Sequence, residues 1–120
     1  MARTSAIRDL DSATTLAGTA RHATSAWARF RGLMLRSRLD HGAALVIQPC
    51  SSIHMMFMRF SIDAVFYDRD LKVTRVARRV RPWIGIAFGG KGAKGVIELP
   101  VGAAENVEPG HQLVFEDAAD

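Results

Sequence analysis

The chain contains a single cysteine, Cys50, so no intrachain disulfide can form. That suits a reducing compartment. A structural zinc site is excluded on similar grounds. It needs four soft or imidazole ligands at paired spacings, whereas His22, His41, His54 and His111 are scattered and Cys50 stands alone. No apolar run approaches the roughly 18 residues needed to cross a bilayer. The opening "MARTSAIRDLDSATTLAG" has an early arginine but no apolar stretch of signal-peptide length behind it. A cytoplasmic location with no membrane partner is therefore expected. Acidic residues are missing from 71–97, which holds Lys72, Arg75, Arg78, Arg79, Arg81, Lys91 and Lys94; basic residues are missing from 98–120. Such asymmetry fits either a solvated strand face or a basic surface for an anionic or acidic partner.

The 120 residues suit one domain, with a core expected over about 6–115. An apolar fraction of 48% and a charged fraction of 23% place the chain among ordinary globular domains, and its net charge of +4 makes it basic. Strand signals dominate. Ala6–Leu10 and Thr14–Ala20 flank the turn pair Asp11-Ser12, and Ala43–Ile47 is a short apolar run between Gly42 and Pro49. Ile53–Phe60 is apolar at both parities, which predicts a central strand covered on both sides. Ala64–Tyr67 and Lys72–Val80 should form a hairpin about "DRDL", residues 68–71. Gly95–Leu99 and Gln112–Phe115 read as further strands, and 84–95 as a glycine-rich loop. Trp27, Phe30 and Met34 recur at helical spacing, so one short helix is expected near 25–35. The sum is a mostly β fold, a small barrel or sandwich-like domain of about seven or eight short strands with one helix.

Three stretches invite chemistry. "CSSIHMMFMRFSID", residues 50–63, places a thiol, an imidazole and thioethers close together. Cys50-x3-His54-x3-Met58 has the ligand types of a copper loop, with His22 or His41 to complete it. A ligand loop needs an open turn, however, and a continuous strand argues against it. His54 with Asp63 or Cys50 is the constellation an enzyme would use, hydrolase-like in type. No Gly-x-Ser-x-Gly elbow accompanies it. "GIAFGGKG", residues 85–92, matches the start of a phosphate-binding loop but has Gly92 where a serine or threonine must follow the lysine. "RVARRVRPW", residues 75–83, mixes arginine with valine and ends in Trp83, a pattern compatible with nucleic-acid binding by a small barrel.

Several of these segments together resemble the domain of unknown function 192 family, a widespread prokaryotic group. The resemblance rests on "RDLDSATTLAG" (8–18), "ARFRGLMLR" (28–36), "IHMMFMRFSIDAVFYDRD" (53–70) and "VIELPVGAAE" (96–105). It implies a small, mostly β, barrel-like domain and brings no activity with it. Leu71 stands where a glycine often completes the turn in that family. The reading that follows is a non-catalytic binding module. Its ligand would be small and polar or anionic, or an acidic protein segment, held by His54, Asp63, Arg79, Arg81, Trp83, Lys91 and Glu98. No metal or cofactor is expected. The enzyme using His54 with Asp63 or Cys50, and the nucleic-acid barrel using the 72–83 arginines, are the alternatives.

Overall fold

Nine strands and no helix make up the described residues, 4–23, 25, 33 and 36–117, of the computed structural model. They are β1 (Thr4–Asp9), β2 (Thr14–Ala23), β3 (Ala43–Ile47), β4 (Ser52–His54), β5 (Ile62–Tyr67), β6 (Val73–Val80), β7 (Ile86–Phe88), β8 (Gly95–Leu99) and β9 (Leu113–Asp117). The helix expected near 25–35 falls almost wholly outside the described residues; Ser25 and Leu33, which are described, lie in a bend and a turn.

Seven strands form one sheet in the order β6-β5-β8-β3-β2-β1-β9. The β1–β2 and β5–β6 hairpins follow from the turn residues between them. Asp9 and Asp68 each bend the chain by accepting backbone N–H bonds, from Asp11 at 3.1 Å and from Asp70 at 2.9 Å. Leu71 completes the second turn at φ 62°, a conformation glycine adopts more cheaply. Between the hairpins the topology is not sequential. β3 pairs with β2 in parallel, and β8 inserts between β3 and β5, antiparallel to both. The sheet curls until its two end strands meet at one rim, where Lys72 bridges Gln112 and Val73 N–H bonds the His111 carbonyl at 2.9 Å. The result is a curled half-barrel.

The curl divides the apolar residues between two faces. Inside lie Ile7, Leu16, Val46, Val65, Tyr67, Ile97, Leu99 and Leu113. On the outer face lie Leu45, Ile47, Ile62, Ala64, Phe66 and Val96, with Ile53, Met55, Met58 and Ala87 packed over them. β5 and β8 are buried at every position because both faces are covered. Gly95 is required by close approach: a Cβ there would stand 2.3 Å from the Tyr67 hydroxyl oxygen across the β5–β8 ladder.

The Ile53–Phe60 stretch departs from the sequence expectation. Only Ser52–His54 is strand, paired with β7, a strand inside the expected 84–95 loop. At Met55 the chain turns: Met58 N–H bonds the Met55 carbonyl at 2.9 Å and Phe57 takes φ 66°. Met55 and Met58 therefore point inward, three residues apart, while Met56 and Phe57 face solvent. Apolar side chains at both parities served a turn with one buried and one exposed side, not a doubly covered strand.

Candidate functional site

β4, β7 and the turns that follow and precede them form a flap over the outer face of the sheet. Its geometry begins with short-range bonding. Met55 N–H bonds the Gly85 carbonyl at 2.9 Å, Trp83 N–H bonds the Met55 carbonyl at 2.7 Å, and Gly85 N–H bonds Arg81 at 3.0 Å. The 55–58 and 81–85 turns are thereby locked together. Trp83 sits at φ 67°, and its ring meets Phe57 edge-on at 5.5 Å between centroids. Two bulky residues held in the left-handed region at one tip is an uncommon cost, of order 1–3 kcal/mol each.

The flap presents an apolar surface to water. Ile53 and Ala87 point down onto the sheet, so their neighbours His54, Ile86 and Phe88 point out. His54 is registered opposite Ile86. With the tip residues this exposes Met56, Phe57, Trp83, Ile84, Ile86 and Phe88, and Ile84 is 74% exposed. Single exposed apolar residues are ordinary; six on so small an element make an exposed apolar patch beyond ordinary scatter. Cations surround it. Arg59 and Arg81 are exposed, each two residues from a tip aromatic, and exposed Lys91 lies three beyond Phe88. Arg75 reaches the Phe88 carbonyl at 3.4 Å.

Beneath the flap lies Glu98. Its register partners are Leu45 and Ala64, which places it on the outer, apolar face. The residue is only 5% exposed, and Oε1 has no hydrogen-bond partner among the described residues. Burial pushes its carboxyl up to about 7. Cys50, half-buried beside this face, donates its thiol to the Ser52 carbonyl at 3.0 Å. Burial raises the thiol above its ordinary value, the bond to Ser52 opposes that, and the Glu98 charge adds to it. A raised thiol is a poor nucleophile.

Asp63 belongs elsewhere. It follows Ile62 in β5 and therefore faces the interior, opposite to Glu98, where it is buried. Its carboxylate accepts backbone N–H bonds from Arg79 at 3.0 Å, Gly102 at 2.9 Å and Ala104 at 3.3 Å. From β6, Arg78 donates to the carbonyls of Ala104 and Val107. Asp63 and Arg78 together clamp the 100–107 loop. Of the nominated residues, His54 and Trp83 lie on the flap surface, Arg81 and Lys91 beside it, and Glu98 under it. Asp63 sits across the sheet, joined to Arg79 through that residue's backbone. A separate cavity of about 340 Å³, bordered by Thr15, Gly18, His41, Gly42, Glu105 and Asn106, contains none of them.

These placements bear on the alternatives. His54 and Asp63 are on opposite sides of the sheet. Arg78 is spent on loop carbonyls while Arg75 reaches toward the flap, so the β6 arginines do not share one wet face. Among the described residues no three of His, Cys, Asp and Glu gather as a metal-binding group. Residue type alone does not single out Met56, Phe57, Ile84, Ile86 and Phe88 in the sequence. The signal for two of them is Ile86-Ala87-Phe88 set between Gly85 and Gly89-Gly90, a minimal strand bounded by glycines.

Comparison with known proteins places this architecture. The family model DUF192, described as "Uncharacterized ACR", matches residues 8–115. A UPF0127 protein of Thermococcus sibiricus is 38% identical over 94 residues, covering 73% of this chain and 60% of that protein. A UPF0127 protein of Thermococcus gammatolerans is 37% identical over 86 residues, covering 67% of this chain and 54% of that one. The chain thus spans little more than half the length of these relatives. Among solved structures, a protein of unknown function from Novosphingobium aromaticivorans superposes with a TM-score of 0.76 at 18% identity, covering 92% of this chain and 83% of that one. A Sinorhizobium meliloti protein, named for a proposed role as a transcription regulator, gives 0.79 at 19% identity, covering 96% and 94%. At such identities these structures share the fold.

Proposed function

The chain belongs to the DUF192 family of uncharacterised domains, and we propose that it acts as a non-catalytic docking module whose recognition surface is the outer face of the β4–β7 flap. The observation that carries this reading is the exposed cluster of Met56, Phe57, Trp83, Ile84, Ile86 and Phe88, with Arg59, Arg75, Arg81 and Lys91 about it. Residues 51–61 and 71–97 contain no acid, so the surface favours a partner that is both apolar and negatively charged. The apolar side chains supply the area, the cations supply orientation and encounter rate, and the locked turns hold the surface ready before the partner arrives.

The anionic fluorophore 1-anilinonaphthalene-8-sulfonate joins an apolar body to a sulfonate and is a direct probe. It is expected to brighten on the native protein. The double substitution Trp83→Ser/Ile86→Ser should abolish that response, and Arg59→Ala/Arg81→Ala should weaken it several-fold, each variant keeping its cooperative unfolding transition. Unchanged fluorescence in both folded variants would remove this reading.

A further inference from the structure

We infer that the partner of the flap is the surface of an anionic lipid bilayer, onto which the protein docks by inserting Trp83, Ile84 and Phe57 at the headgroup level. The inference rests on the docking reading above and departs from the expectation of no membrane partner. Three observations carry it.

The apolar residues protrude. A peptide-binding site buries its anchors in a groove, or offers an open strand edge with free backbone groups. Here Ile84 is 74% exposed, and Ile86 and Phe88 are above 60%. The outward carbonyl of Phe88 already accepts Arg75. A projecting apolar tip matches a deformable fluid surface better than a second folded surface, which would need a complementary pocket.

The composition of the tip is interfacial. Trp83, Phe57, Met56 and Ile84 sit on two adjoining turns. Tryptophan favours the headgroup boundary, and aliphatic neighbours enter just beyond it.

Exposed cations adjoin the tip along the chain. Arg59 and Arg81 each lie two residues from it, and Arg75 and Lys91 flank the base of the flap. Their long stems let charged ends reach lipid phosphates while the tip is inserted. Each cation held near an anionic surface strengthens binding about fivefold. Within residues 51–61 and 71–97 no carboxylate opposes them.

The experiment uses the full chain, with Trp27→Phe so that Trp83 is the sole tryptophan. The probes are vesicles of phosphatidylcholine alone and vesicles mixing it with phosphatidylglycerol. Phosphatidylglycerol vesicles should sediment the protein, shift Trp83 emission to the blue, and release it on addition of salt; phosphatidylcholine alone should do little. Trp83→Ser/Ile84→Ser, made with Trp27 intact and read by sedimentation, should lose binding. Arg59→Ala/Arg81→Ala should weaken it by ten-fold or more. No sedimentation, with the fluorophore still bound at the flap, would overturn the lipid inference and leave docking of an acidic protein segment. Vesicle binding that survives both substitutions overturns it too. Failure of vesicles and fluorophore alike would remove the docking reading as well.

Discussion

Glu98→Gln should stabilise the protein by about 3 kcal/mol at pH 8 and change little at pH 4. The effect is one of proton linkage. In the unfolded chain the carboxyl ionises near 4.5, whereas in the fold, under the flap and among Leu45, Ala64 and Phe66, it stays protonated to about 7. Between those values the folded state holds a proton that the unfolded state has released, so stability falls as pH rises and levels off above 7. Each unit of difference is worth about 1.4 kcal/mol. Glutamine keeps the shape and cannot ionise. Chemical denaturation of both proteins across pH 4–8 measures the effect. Equal stability at every pH would mean that burial does not shift the carboxyl, and a glutamine variant weaker at pH 8 would mean that the carboxyl is ionised and paired.

Asp63→Ala carries the second large effect, of opposite sign. The side chain gathers the N–H groups of Arg79, Gly102 and Ala104. Its loss leaves these donors without partners in or near the core, each at a cost of roughly 1–3 kcal/mol. We expect a loss of about 3–5 kcal/mol, with the 100–107 loop freed. Asp63→Asn should fall between, because its amide nitrogen cannot accept what Oδ2 accepts. Arg78→Ala should cost less than Asp63→Ala, since the Arg78 side chain is partly exposed and water can reach the carbonyls it leaves. Chemical denaturation ranks the three. An Asp63→Ala protein as stable as the native one would show that the carboxylate does not hold the loop.

Much of the scaffold was legible in the chain. Ala43–Ile47 and Gly95–Leu99 emerge with the bounds the sequence suggests, because Gly42, Gly95 and Pro100 punctuate them. The β5–β6 hairpin follows from the aspartates of its turn. The insertion of β8 between β3 and β5 is set by long-range packing, and nothing local announces it. The candidate site was legible in part. Trp83, Arg81 and Glu98 were marked by residue type. The 53–60 run was misplaced because inferring burial from apolarity fails at a turn that buries Met55 and Met58 and leaves Met56 and Phe57 outside. Met56 and Phe57 look like core in the sequence and are surface in the fold. Asp63, near His54 in sequence, is separated from it by the sheet, since strand parity sends Ile62 and Asp63 to opposite faces.

The central claim, that the flap face is where this protein meets its partner, is tested most directly by NMR of the methionine ε-methyl groups during titration with 1-anilinonaphthalene-8-sulfonate. Met55, Met56 and Met58 are close in sequence but differ in place: two are buried and Met56 is half exposed. The claim predicts that the Met56 methyl shifts progressively to saturation while Met55 and Met58 move far less. A saturable response with Met56 unmoved would put the binding surface elsewhere and contradict the claim.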